Sequence, residues 1–181
     1  KAEYQKETTR ESESQYEMIK KLELDKEAHL ELIALCEKKG IEFLSSPFDH
    51  KSIDLLNELG MKRFKIPSGE ITNLPYLRHI GNFSKSLILS TGMANLKEIK
   101  DTLRSIDYKN YPVILMLCVS QYPTPLQDVN LLRLKELRKK FPNLILGFSD
   151  HTIGPIAGTV AVSLGAICFE KHFTISNKES G

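Results

Sequence analysis

The feature that most constrains the fold of this chain is a regular alternation of short apolar runs and amphipathic helical patterns. The apolar runs begin at intervals of 21 to 31 residues, near Ile41, Lys62, Ser86, Val113, Leu144 and Ala166. The runs SLILS, VILML and LILGF are apolar on both faces, which is typical of parallel strands covered by helices. The alternation therefore predicts repeated βα units.

Two architectures accommodate about six such units: an open doubly wound sheet, or a (β/α)8 TIM barrel without its first two strands. Every predicted strand ends in polar residues, as in FKIPSGE, LILSTG, GFSDHT and FEKHFT. Barrel enzymes collect their chemistry from the ends of many strands, whereas an open sheet concentrates it at one switch point. No G-x-G-x-x-G follows the first strand. We therefore expect an α/β fold, an incomplete TIM barrel of about six βα units.

Local signals also predict the ends of several helices. Asp25 is a predicted N-cap for the helix KEAHLELIALCEKK, which should end at Gly40. Asn95 followed by Glu98 resembles a capping box. The apolar residues of the first of these helices are expected to face inward: Leu30, Ile33 and Leu35.

Composition and charge exclude several classes of partner. The 181 residues carry a formal net charge of +2 with mixed signs, so neither nucleic acid nor another polyanion is indicated. No apolar run reaches the roughly 18 residues that span a bilayer, so no membrane partner is expected. The three cysteines have no regular spacing, which favours a reducing, cytoplasmic environment without disulfides.

Two histidines stand at the ends of the last two predicted strands, GFSDH and CFEKH. Strand alternation places His151 and His172 on the faces that also carry Ser149 and Glu170. Because adjacent strands lie about 4.8 Å apart, the two imidazoles could reach one divalent ion, with Asp150 or Glu170 orienting a ring. The other interpretation is a pair of hydrogen-bonded structural histidines.

Lys65, within FKIPSG, faces either the barrel interior or the solvent, where a lysine can snorkel. An inward lysine needs a counter-charge, either Glu70 or a substrate phosphate or carboxylate. Small residues, most of them with a hydroxyl, end successive strands: Ser45 and Ser46, Ser68 and Gly69, and Ser90, Thr91 and Gly92. They could offer hydroxyl and N–H groups to an anion, or form ordinary turns.

Three further residues have two interpretations each. Glu70 is either a general acid or base or a solvated loop residue. Tyr122 either lines a substrate pocket or packs against the neighbouring prolines. Cys118 is expected in the core rather than as a nucleophile, because its flanks are apolar and no histidine is close in sequence.

Five motifs in this order and spacing resemble the N-acetylneuraminate (sialic acid) synthase family, which includes legionaminate and pseudaminate synthases: FKIPSGEITNLPYL, LILSTGM, CVSQYPTPLQDVNL, GFSDHTIG and FEKHFT. The resemblance runs from about Tyr16 to Thr174. It implies a (β/α)8 barrel that condenses phosphoenolpyruvate with an N-acetylmannosamine-type 2-acetamido sugar, giving a nine-carbon 2-keto acid and phosphate. It also implies a divalent metal, Mn²⁺ or Mg²⁺, as Lewis acid.

The resemblance assigns a role to each matching position. His151 and His172 would be the metal ligands, and Glu70 the acid or base near the reacting carbons. Tyr122 and Ser120 would contact the sugar. The chain departs from the family here, since it has Cys118, Val119, Ser120 and Gln121 where members often have a Cys-Thr-Asn or Cys-Thr-Ser run before the tyrosine. Five side chains would hold phosphoenolpyruvate: Lys65, Ser68, Ser90, Ser149 and Ser46.

The resemblance also implies parts that this sequence lacks. Residues 1–181 would be a partial TIM-barrel catalytic domain with a helical N-terminal lead-in, and the C-terminal antifreeze-like domain would be absent. We therefore expect the full-length parent to be a domain-swapped homodimeric enzyme, and this polypeptide alone to be weakly active or inactive.

Two alternatives remain open from the sequence. One is another metal-dependent barrel lyase or aldolase, which would use the same histidines without releasing phosphate. The other is a non-catalytic barrel that binds a sugar phosphate. Product analysis separates the first from a synthase, and metal binding through His151 and His172 would argue against the second.

Overall fold

The computed structural model describes residue 5 and residues 12–176. The chain divides into two compact units, one formed by Lys1–Phe43 with His172–Gly181 and the other by Leu44–Lys171. No helix in the described part of the chain is both long and apolar enough to cross a membrane.

The first unit contains helices α1 (Gln15–Lys20) and α2 (Lys26–Lys39). The Asp25 carboxylate accepts a hydrogen bond from the N–H of Ala28 at 2.8 Å, so this residue caps α2 as predicted. Gly40 adopts a left-handed conformation with φ of 68°, which ends the helix where the sequence places the stop.

The predicted inward face of α2 is wrong at two positions. Leu30 and Leu35 are each 50% exposed, and His29 is buried instead. The His29 ring packs edge-on against Phe43, and its Nδ1 lies 2.7 Å from the Asp25 carbonyl. Because successive helical residues point about 100° apart, the burial of His29 turns Leu30 away.

The second unit is built from alternating helices and strands. Its elements are α3 (His50–Glu58), β1 (Arg63–Ile66), α4 (Leu74–Gly81), β2 (Ser86–Ser90), α5 (Leu96–Ser105), β3 (Val113–Cys118), α6 (Arg133–Lys140), β4 (Ile145–Asp150), α7 (Ile156–Ser163) and β5 (Cys168–Lys171). Single 3-10 turns at Ser68–Glu70 and Leu126–Asp128 follow β1 and β3. The capping box of Asn95 and Glu98 opens α5 as predicted.

The strands form one parallel sheet of five in the order β1-β2-β3-β4-β5. Each strand therefore pairs with the next one along the chain, and the order never reverses. An open doubly wound sheet does reverse, at its switch point. The observed order is instead that of consecutive βα units, each of whose strands lies beside the next.

The strand predicted near Ile41 is wrong, because residues 41–48 are irregular. A strand requires a neighbour that pairs with its backbone groups. Among the described residues, β1 is an edge strand that pairs with β2 alone. Pro47 has no N–H to donate, and its carbonyl accepts a hydrogen bond from the Tyr76 hydroxyl at 2.9 Å.

One face of the sheet carries the apolar core. Gly158 of α7 lies so close to Phe169 on this face that an added Cβ would come within 2.7 Å of the ring. The largest contributions to the core are side chains on alternate strand positions, each no more than 1% exposed: Phe64, Ile66, Leu87, Leu89, Leu115, Leu117, Leu146 and Phe148.

The opposite face carries an ion pair that joins the two edge strands. Lys65 of β1 donates to Glu170 of β5, with Nζ 2.5 Å from Oε1. Four strand spacings separate these strands, which in a flat sheet is about 19 Å and more than the two side chains can span together. The sheet is therefore curled around this face.

The close packing of β4 at Gly147 gives a test of this arrangement. A Cβ at Gly147 would lie 2.9 Å from the Cys168 carbonyl oxygen and 3.0 Å from the Cys168 Cβ. We expect Gly147→Ala to lower the free energy of unfolding by about 1–3 kcal/mol through overpacking, measured by urea denaturation.

Gly69→Ala is the matched control, because an added Cβ there has no neighbouring atom within 4 Å. It should change the free energy of unfolding by no more than about 0.5 kcal/mol. Equal stability of Gly147→Ala and the wild type would contradict the packing of β4 against β5.

Candidate active site

The Lys65–Glu170 ion pair lies at the centre of a polar cluster on the concave face. Ser149 of β4 donates from Oγ to the same oxygen, Glu170 Oε1, at 3.1 Å. Ser149 is buried at 2% exposure, and the Lys65 and Glu170 side chains are 20% and 37% exposed. Lys65 thus faces inward, and its counter-charge is Glu170 rather than Glu70, which corrects one of the sequence expectations.

His151, directly after β4, extends this cluster. Its Nε2 lies 3.3 Å from Ser149 Oγ, and its Nδ1 lies 2.7 Å from the Val119 carbonyl oxygen. Because a carbonyl can only accept, Nδ1 carries a proton and donates to Val119, while Nε2 faces Ser149 Oγ. A backbone carbonyl bound to one ring nitrogen is how proteins usually orient a metal-binding histidine.

The loop after β3 fixes His151 from two further directions. The Tyr122 ring stacks on the imidazole, with centroids 4.0 Å apart and 30° between the planes. The N–H of Thr124 donates to the His151 carbonyl at 2.9 Å. Tyr122 therefore packs against His151 and not only against the neighbouring prolines.

Cys118, the last residue of β3, is buried beside His151. Its Sγ lies 3.9 Å from His151 Nδ1, so a histidine is close in space although none is close in sequence. Burial raises the pKa of the Cys118 thiol, against opposing hydrogen bonds from Ser90 and Ser149. The thiol form therefore predominates at neutral pH, in agreement with a core residue rather than a nucleophile.

The ends of β1, β2 and β3 meet at Ser120. Ser68 Oγ and Ser120 Oγ are 3.3 Å apart, which links the turn after β1 to the loop after β3. A Cβ at Gly92 would lie 2.5 Å from Ser120 Oγ and 3.0 Å from Cys118 Sγ. Only glycine permits this close approach of the β2 turn without displacing Ser120.

Two predicted site residues have other surroundings. The Glu70 carboxylate accepts a hydrogen bond from Asn73 Nδ2 at 2.6 Å. Ser46 lies in the irregular segment 41–48. Their predicted roles as acid or base and as phosphate ligand stay predictions.

Asp150 does not orient His151, which corrects the sequence expectation for this residue. Its side chain is fully buried on the opposite face of β4 and forms an ion pair with Lys171, Oδ2 to Nζ at 2.8 Å. Its other oxygen accepts from the N–H of Thr152 at 2.8 Å. The Val119 carbonyl performs the orienting role instead.

The predicted pairing of His151 with His172 stays a prediction. His172 follows β5 directly and belongs to the first unit. Within residues 12–176 and residue 5, no group of three or more His, Cys, Asp or Glu side chains has the arrangement of a metal site.

Sequence reasoning missed the partners that organise the site. Alternation had placed Glu170 on the concave face, yet its partner is 105 residues away in sequence. The Val119 carbonyl carries no side-chain signal. Only the curl of the sheet and the path of the β3 loop reveal these contacts.

Comparison with known proteins identifies the family of this chain. The model of the NeuB family matches residues 1–181. The chain belongs to the NeuB family. The family that the five sequence motifs predict is therefore confirmed.

Named relatives and solved structures extend the likeness. The chain is 52% identical over 184 residues to N,N'-diacetyllegionaminic acid synthase of Campylobacter jejuni, covering 100% of this chain and 55% of that protein. It is 36% identical to pseudaminic acid synthase of Helicobacter pylori, covering 91% and 48%. The structure of N-acetylneuraminic acid synthetase from Leptospira borgpetersenii superposes with a TM-score of 0.87 at 33% identity, covering 96% and 60%. The chain thus spans about half the length of the curated relatives it matches.

The orientation of His151 is directly testable. We expect ¹⁵N–¹H spectra of the histidine-labelled chain at pH 8 to show His151 protonated at Nδ1, because Nδ1 donates to Val119. His151→Gln should remove these signals and so assign them. A His151 protonated at Nε2 alone would contradict the described geometry.

Proposed function

We propose that this chain forms the catalytic part of a nonulosonic acid synthase. The reaction condenses phosphoenolpyruvate with an N-acetylmannosamine-type 2-acetamido sugar and releases phosphate. Membership of the NeuB family and the synthase activities for which its relatives are named support this proposal. The observation that carries it is the convergence of a lysine ammonium and a serine hydroxyl on one carboxylate oxygen at the strand ends.

In this proposal the concave face binds the two acidic groups of phosphoenolpyruvate. Lys65 supplies positive charge, and Ser149 supplies a buried hydroxyl donor. A cation and hydroxyls in a partly dehydrated pocket favour a phosphate or carboxylate over a neutral ligand. The remaining hydroxyls proposed for this half of the site are those of Ser68, Ser90 and Ser46.

The sugar occupies the neighbouring part of the site, beside the β3 loop. Tyr122, held against His151, offers an aromatic surface and a hydroxyl. Ser120, held by Ser68, offers a second hydroxyl. Glu70 serves as acid or base while C3 of phosphoenolpyruvate attacks the sugar aldehyde, water adds at C2 and the C–O bond to phosphate breaks.

His151 suits a divalent ion, Mn²⁺ or Mg²⁺. Its Nδ1–H donates to the Val119 carbonyl, so Nε2 is the ring nitrogen that would bind the metal. The oxygen-rich surroundings suit these metals. When bound, such an ion supplies a Lewis acid for the aldehyde oxygen. The second proposed ligand is His172, an assignment that rests on the resemblance.

The sheet is proposed to be part of a (β/α)8 barrel. The unreversed strand order and the ion pair between β1 and β5 support this proposal. The cytoplasmic location and the homodimer of the full-length protein are further proposals from the resemblance and the cysteine usage.

The test uses a polypeptide extended to the length of the curated relatives, with phosphoenolpyruvate, Mn²⁺ and a panel of 2-acetamido sugars. We expect phosphate release that depends on the sugar. Lys65→Met should lower kcat/KM about 10²- to 10³-fold, as loss of a charged active-site group does. Lys97→Met, which removes an 85% exposed lysine, is the matched control and should have no effect.

Other outcomes would replace the proposal. A carbon–carbon bond formed or cleaved without phosphate release would identify a lyase or aldolase. Binding of phosphoenolpyruvate with no turnover of any sugar would identify a non-catalytic barrel.

A further inference from the structure

The Glu170 carboxylate is held by the contacts that would hold a bound anion. Its Oε1 accepts from Lys65 Nζ at 2.5 Å and from Ser149 Oγ at 3.1 Å. A carboxylate oxygen that receives an ammonium and a hydroxyl is bound as a substrate phosphate or carboxylate oxygen would be. The donors on this oxygen come from β1 and β4, and the carboxylate itself comes from β5.

The same two donors are those that the proposed function assigns to phosphoenolpyruvate. Ser149 has one O–H, so it cannot donate to an incoming anion while it donates to Glu170 Oε1. The Lys65 ammonium is likewise drawn toward Glu170 Oε1 and away from an incoming anion. A second negative charge beside the Glu170 carboxylate is also repelled by it. Substrate binding therefore requires that Glu170 release at least part of this contact.

We propose that Glu170 is an internal competitor for the anion subsite. In the free protein it holds Lys65 inward, and it yields Lys65 and Ser149 to the phosphate or carboxylate of the substrate. Glu170 thus acts as a positioning residue rather than a catalytic one. The identity of the anion rests on the proposed function, but the competition itself depends only on the observed contacts.

The competition predicts an unusual gain on substitution. Glu170→Gln removes the competing charge and should tighten the binding of inorganic phosphate to this chain. The ion pair is partly exposed, and such pairs contribute up to about 1 kcal/mol, so the dissociation constant should fall about two- to fivefold. Damage to the fold would weaken binding, so a purely structural role predicts the opposite direction.

Isothermal titration of the 181-residue chain with inorganic phosphate, and separately with pyruvate, gives the measurement. The arm that tightens identifies whether phosphate or carboxylate uses the subsite, and tightening in either arm supports the proposal. Asp101→Asn is the matched control, since it removes one carboxylate from the exposed Lys97 pair and should leave both affinities unchanged. In a Lys65→Met background, the Glu170→Gln gain should disappear.

Glu170→Asp covers the case in which Glu170→Gln does not fold, as judged by circular dichroism. The carboxylate is then withdrawn by one methylene, so affinity should lie between the wild type and the expected value for Glu170→Gln. Unchanged or weaker binding of both anions by the folded variants would overturn the proposal, as would the absence of any binding.

The titration uses no sugar and no metal, so its failure is distinct from failure of the proposed reaction. Tighter anion binding without synthase activity would refute the reaction alone. Synthase activity without tighter binding in Glu170→Gln would refute the competition alone.

Discussion

The ion pair between Lys65 and Glu170 is the contact on which the arrangement of the site depends. It connects the first and last of the five described strands, which do not pair with each other in the sheet. A lysine side chain and a glutamate side chain cannot meet across a flat sheet of five strands, so the pair requires the curl. The curl brings the ends of separate strands around one polar face.

The chemistry of the site follows from this convergence. Ser149 joins the ion pair from β4, and His151 is oriented by a carbonyl of the β3 loop. Three functional groups thus face the same region: the Lys65 ammonium, the Ser149 hydroxyl and the His151 imidazole. These are the groups to which the proposed function assigns an acidic substrate and a divalent ion.

The sequence predicted best what local physics decides. Strands β2 and β3 begin where their apolar runs begin, because residues buried on both faces leave a continuous pattern. The caps at Asp25 and Gly40 were equally local. The errors have non-local causes: within the described residues the run near Ile41 does not pair with β1, and the partner of Lys65 depends on a curl that no single segment encodes.

The most direct test of the account is a crystal structure of this chain with bound phosphoenolpyruvate. The account predicts a phosphate or carboxylate oxygen within about 3.2 Å of both Lys65 Nζ and Ser149 Oγ, with Glu170 Oε1 released from at least one of them. Phosphoenolpyruvate bound elsewhere, with the contacts of Glu170 to Lys65 and Ser149 intact, would contradict it.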